Sequence, residues 1–197
     1  VYRRNIARGI LDTATGGTDR QKSVRIAEKA FHDGTATIAS VNAQVVGTFT
    51  NTAPGPFFRD SARLVRFGLG TKVCYGGIGG WDDHATLVTS QANNLTRVNN
   101  AIRDFATDMK VAGKWNDVVI CIFSEFGRNT FENASGGTDH GWGGTMVLIG
   151  GGVNGGVYGA TLTDNDIRTK PWVYGDVDFR SVFSRIVNWI GLNPSPV

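Results

Sequence analysis

VVICIFSEFGRNTFENASGGTDHGWGGTMVLIGGG, residues 118–152, reads as two apolar strands, at 117–123 and 145–150, joined by a long polar loop. A run such as VVICIF, bounded by polar residues, has the pattern of a strand covered on both faces. A connection of about twenty residues between two core strands exceeds what packing needs, and such loops usually carry function. This loop holds Glu125, Arg128, Asp139 and His140 between glycines, and it contains one of the chain's 3 histidines.

Working outward, Val88, Ala92, Leu95, Val98, Ile102, Phe105 and Met109 recur at three- and four-residue steps. That spacing predicts the longest helix, 88–112, stopped by Gly113. Before it, TKVCYGGIGGWDDH (71–84) predicts a short buried strand running into a glycine-rich turn. Strand, long helix, strand is a βαβ unit with a right-handed crossover. Further helices are predicted at 3–14, 18–33 and 58–69, and in DVDFRSVFSRIVNWIGL (176–192). Thr18 or Asp19 caps the second and Gly34 stops it, which leaves His32 in a last turn where the helix dipole favours it.

These elements predict an α/β fold: three αβα layers around a mainly parallel sheet. The chain reads as a single domain over 1–197, with a helical lead-in at 1–57 and a motif-bearing core at 58–197. In such sheets ligands bind at the carboxyl ends of the strands. GGWDDH and SEFGRN…TDHG therefore converge on one edge.

With 197 residues, 41% hydrophobic and 19% charged, the chain is long enough to bury a sizeable core and is globular in composition. A net charge of +3 is mild, and the basic residues are scattered, with only Arg3 and Arg4 adjacent. No nucleic-acid footprint is expected from that distribution. No apolar run approaches the ~20 residues of a membrane span. Cys74 and Cys121 lie in apolar runs and read as buried free thiols. The beginning at VYRRNIARG looks like the middle of a helix, the mark of a processed or partial chain.

The converging loops offer Asp82, Asp83 and His84 from one side, and Glu125, Arg128, Asp139 and His140 from the other. Carboxylates mixed with imidazoles suit zinc, manganese or iron, and zinc is the expected ion. Arg128 has the planar fork that clamps an oxyanion bidentately. The bland alternatives are a turn held by Asp139 and a Glu125–Arg128 salt bridge pinning the loop. Asp164–Asp166 lacks the twelve-residue calcium pattern and reads as a solvated turn. Asn94-Leu-Thr96 and Asn133-Ala-Ser135 match the glycosylation sequon. A GxSxG elbow, a P-loop and a dinucleotide fingerprint are all missing.

GGWDDH, SEFGRN, ENASGGTDHGWGG, GGGVNGGVYG and DFRSVFSRIVNWIG, in that order, resemble bacterial domain-of-unknown-function family 1501. That family in turn resembles the alkaline phosphatase and sulfatase superfamily. The resemblance implies an exported, periplasmic or extracellular protein that hydrolyses small anionic phosphate or sulfate esters with a divalent metal. It implies Asp82, His84 and His140 as metal ligands, Glu125 as ligand or base, and Arg128 as oxyanion clamp. In one alignment Glu125 and Phe126 occupy the places of a superfamily Asp-His pair; in the other, Asp139-His140 is that pair and Asp139 joins the ligands. The superfamily nucleophile lies in an N-terminal half not represented here, so that half of the same protein is an expected partner. The alternative function is a non-catalytic component of a secreted or surface assembly that keeps the fold.

Overall fold

The computed structural model describes residues 16–44, 46–68 and 70–192, so the helix predicted at 3–14 lies outside the described residues. The chain divides between residues 46 and 47 into two compact units. The described part of the first is one helix, α1 (Asp19–Asn42). Thr18 caps it as expected: its hydroxyl accepts from the Gln21 amide while the Gln21 side chain accepts from the Thr18 amide, a reciprocal capping box. Gly34 does not stop it, because an internal glycine costs a helix only ~0.5–1 kcal/mol and the turns beyond it outweigh that. His32 therefore sits in mid-helix, its ring edge-on to Phe31 at 5.8 Å, and not in a terminal turn.

The second unit is built on α2 (Gly55–Arg66) packed against α3 (Leu87–Val111). The three-to-four spacing of α3 puts Ala101, Phe105 and Met109 on one face, and all three are buried. From α2, Phe58 and Ala62 are buried too, with the Phe58 and Phe105 rings 5.4 Å apart. Two carboxylates one helical turn apart on α3 then hold the extended segment at 47–50. The Asp108 carboxylate accepts from the Gly47 amide at 2.7 Å and from Arg66 of α2 at 2.7 Å, and Asp104 accepts from the Thr50 amide at 2.9 Å.

After a 3-10 turn at Trp115–Asp117 come β1 (Ile120–Ile122), β2 (Gly127–Glu132), β3 (Thr138–Gly141) and β4 (Val147–Ile149). β2 and β3 form an irregular antiparallel hairpin, and β1 pairs antiparallel with β4 around it, Ile120 opposite Ile149 and Ile122 opposite Val147. Two short helices follow, α4 (Asp164–Thr169) and α5 (Phe179–Trp189). α5 is started by Asp178, and its Phe183 packs edge-on against Phe123 at 5.3 Å.

This architecture overturns the three-layer αβα fold with a mainly parallel sheet. Among the described residues there are two two-stranded antiparallel sheets and no parallel pairing. The segment expected as the first strand, 71–75, is coil, with Val73 68% and Tyr75 82% exposed. Without that strand there is no βαβ unit. The loop between β1 and β4 folds into a hairpin of its own, which reverses the chain and returns β4 antiparallel; a parallel return would need a long crossover. VVICIF is not covered on both faces either, since β1 is half-buried and Phe123 is 47% exposed. Both cysteines are free, but Cys74 is exposed; only Cys121 is partly covered, and that burial pushes its thiol pKa up. Asp164–Asp166 is the capped first turn of α4, where Asp166 closes a box with Thr163.

Replacing Asp108 by alanine strands the Arg66 guanidinium and the Gly47 amide in a site where the carboxylate is only 3% exposed. The expected loss is roughly 3–5 kcal/mol, the cost of breaking a buried pair by removing one partner. Urea unfolding checks it, with Asp108→Asn, which keeps an acceptor oxygen, losing less.

Candidate metal centre

The site forms where the glycine-rich turn before α3 meets the β2–β3 hairpin. Gly80 adopts φ +92°, a conformation open to glycine at little cost, and its carbonyl accepts from the buried Asn94 side chain of α3. The chain then runs through Trp81, Asp82, Asp83 and His84 to Thr86, which enters α3 with φ 50° and ψ 33°. Left-handed backbone at a β-branched residue is costly and persists only where the surroundings impose it. Here the 135–136 turn imposes it: the Leu87 amide, an orphan donor at the helix start, reaches the Gly136 carbonyl at 3.0 Å.

Arg128 is the main tie between loop and hairpin. Its guanidinium donates to the carbonyls of Thr138 at 2.6 Å, Trp81 at 2.5 Å and Asp83 at 3.4 Å, and to the Asp82 carboxylate at 3.0 Å. Asn133 is the second tie. Its amide nitrogen donates to the His84 carbonyl at 3.0 Å and to Asp139 at 3.3 Å, while its oxygen accepts from the amides of Ser135 and Gly137. Gly137 allows the approach: a Cβ there would overlap the His84–Ala85 peptide.

These ties bring together Asp82, His84, Asp139 and His140. His140 lies opposite Arg128 in the hairpin register, and cross-strand partners share a face. One oxygen of Asp82 faces Nε2 of His140 at 2.7 Å and Nε2 of His84 at 3.0 Å. The other nitrogen of His84, Nδ1, faces Asp139 at 3.1 Å. The imidazole rings are 5.1 Å apart, and His140 lies flat on Phe126 at 4.0 Å. The hydrogen bond from His140 holds the Asp82 carboxyl below the usual range, helped by the fields of His84, His140 and Arg128. Asp139 is lowered likewise, first by Asn133 and then by His84.

The donor set fits a divalent transition metal. Ligand atoms of Asp82, His84 and His140 all lie within 4.8 Å of one another, and all three residues are exposed. Tetrahedral zinc, with ligands at ~2.0–2.2 Å, separates its ligand atoms by about 3.4 Å. Small side-chain adjustments cover the difference. Asp139 on the far nitrogen of His84 is the outer carboxylate that fixes a ligating imidazole in orientation and tautomer.

Glu125 stands apart from this cluster: its carboxylate is exposed and has Ser124 as hydrogen-bond partner at 3.4 Å. The Arg128 donors are engaged with loop carbonyls and Asp82, and its guanidinium carbon lies 5.0 Å from the Phe126 ring centre. Asn133 was visible in the sequence only as a sequon residue, although Asn in a tight glycine-rich turn is itself a signal of side chain-to-backbone bonding. Its amide is fully engaged here, and Asn94 is buried, so neither sequon presents a free asparagine.

Two outcomes follow from the geometry. Gly137→Ala or Arg128→Ala separates loop from hairpin, and the proton NOE contacts between the His84 and His140 rings disappear while helical circular dichroism persists. Because the Asp82 and Asp139 carboxyls are lowered in the fold, the stability they contribute is complete above the ordinary aspartate pKa. It is lost as pH falls below about 4 and through the folded values. Asp82→Asn should therefore flatten the acid side of the stability–pH curve measured by chemical denaturation.

The described helices include none long and apolar enough to cross a membrane. No curated protein and no solved structure matches the chain. One family model does match, over residues 60–193, a range that contains α3, both site loops and the whole nested strand pair. The chain therefore belongs to the family described as Protein of unknown function (DUF1501).

Proposed function

We propose that this domain is the metal-binding part of an exported hydrolase acting on small phosphate or sulfate esters. The observation that carries the reading is the convergence of Asp82, His84 and His140 within 4.8 Å on an exposed face. With the histidines counted as neutral at pH 7, the ionised Asp82 and Asp139 outnumber Arg128, the Arg or Lys bonded to them among the described residues, and the cluster carries a net negative charge. That charge attracts a metal cation. A bound divalent ion would supply Lewis acidity toward an ester oxygen and lower the pKa of a coordinated water. Asp82 and the two imidazoles hold it, Asp139 orients His84, and Phe126 fixes the plane of His140. Arg128 neutralises part of the Asp82 charge and keeps the ligands in register. Ester chemistry and export draw on the motif resemblance to phosphatases and sulfatases, and no part of the reading rests on a shared fold.

A second reading, a non-catalytic surface-assembly component, is favoured by one observation. Arg128 spends its donors on main-chain carbonyls and Asp82, which suits a network that holds the fold.

Elemental analysis of natively purified protein and zinc titration calorimetry separate the two. The hydrolase reading expects about one equivalent of transition metal, lost in His84→Ala and His140→Ala, with Asp139→Asn weakening zinc about 10–100-fold. It also expects zinc-dependent release of nitrophenol from p-nitrophenyl phosphate or sulfate. Protein that binds no transition metal at micromolar concentration defeats it, and metal binding without ester turnover by the complete protein favours the assembly component.

A further inference from the structure

Close to His140 in sequence stands an aromatic pair that the described residues leave largely exposed. Trp142 follows His140 by two residues, leaving β3, and is 70% exposed; Tyr174 is 71% exposed. Their rings are stacked, with centres 6.1 Å apart and planes 24° from parallel. The main chain holds this arrangement: the Gly143 amide donates to the Val173 carbonyl at 2.7 Å, and the Thr130 amide to the Pro171 carbonyl at 3.1 Å. Segment 171–173 is thus moored to both sides of the site hairpin, with Trp142 and Tyr174 each next to the Gly143–Val173 tie. Other large apolar side chains are exposed as well, Tyr75 and Tyr158 among them. What sets Trp142 and Tyr174 apart is that they are stacked and fixed by a main-chain tie, so that together they offer an apolar platform.

We infer that Trp142 and Tyr174 form a saccharide subsite, which receives the sugar ring of an ester whose anionic group faces Asp82, His84 and His140. This rests on the metal-centre reading above and adds the substrate class to it. A pyranose ring has one face of C–H bonds and a rim of hydroxyls. The C–H face packs on an aromatic ring while the hydroxyls keep their water, which matches rings this exposed. An aryl group would instead gain from enclosure, since small-molecule pockets cover roughly 70–90% of a ligand's surface. Only Gly141 separates Trp142 from His140, so their Cα atoms lie at most about 7 Å apart along the chain, the scale of a monosaccharide with its ester group.

Saturation-transfer NMR of the zinc-treated protein with methyl glucoside, methyl galactoside and methyl xyloside tests the subsite. Being neutral, these probes do not depend on the metal. At least one should receive transfer at its ring protons, with affinity falling about tenfold in Trp142→Ala and in Tyr174→Ala. Trp142→Phe, which keeps a ring face, should retain most of it. Binding should survive chelation and the His84→Ala/His140→Ala pair, and zinc affinity should be unchanged in Trp142→Ala. If zinc binds but no glycoside does, or if phenol binds these rings in preference, the saccharide subsite is overturned and the metal centre stands. If a glycoside binds at these rings but zinc does not bind, the subsite stands and the metal-centre reading falls.

Discussion

The Arg128 guanidinium is the interaction on which the site depends. The side chain is 21% exposed, and its donors reach the carbonyls of Trp81, Asp83 and Thr138 and the carboxylate of Asp82. Hydrogen bonds that involve a charged group contribute about 1.5–3 kcal/mol each, more than neutral ones. No regular secondary structure joins the turn before α3 to the hairpin; one isolated bridge, Ala85 to Gly136, is the ladder pairing between them. The main-chain bonds from Thr138 to Asp83 and from Leu87 to Gly136 share the load with side-chain bonds of this kind. A lysine, a compact charge without a planar fork, does not reproduce them.

The clamp also decides the character of the cluster. Paired with Arg128, the Asp82 carboxylate still lies 2.7 Å from His140 and 3.0 Å from His84, while Asp139 faces the other nitrogen of His84. Arg128, expected as an oxyanion clamp, has its donors on loop carbonyls and Asp82 in this structure. Phe126 changes role in the same way, from the place where a further imidazole was sought to the flat support under His140. The aromatic pair Trp142 and Tyr174 flanks the main-chain tie between Gly143 and Val173.

Much of the site was legible because its residue types are rare and their motifs compact. His84 and His140, the two histidines directly preceded by an aspartate, are the two whose rings meet. Yet the parallel sheet expected to bring the two loops together is absent among the described residues. The real agents are Arg128, Asn133 and the close approach at Gly137, and their bonds run mainly to backbone carbonyls and amides. Main-chain acceptors carry no mark in a sequence. Glu125, legible as an acid in the same loop, has Ser124 as hydrogen-bond partner and is not among the ligand atoms that gather within 4.8 Å.

By itself the sequence determined the helices whose apolar spacing is sustained. The predicted 88–112 matches α3 to within one residue at each end, and of the two expected caps, Thr18 or Asp19, the structure uses Thr18. It determined the family as well, through motifs kept in order over residues 60–193. Only the tertiary structure decided how the apolar runs pair. A strand's side chains record which residues are apolar, while its direction depends on the path the chain takes before returning. Here that path is a hairpin, so β4 comes back antiparallel to β1, and 71–75 finds no strand to join.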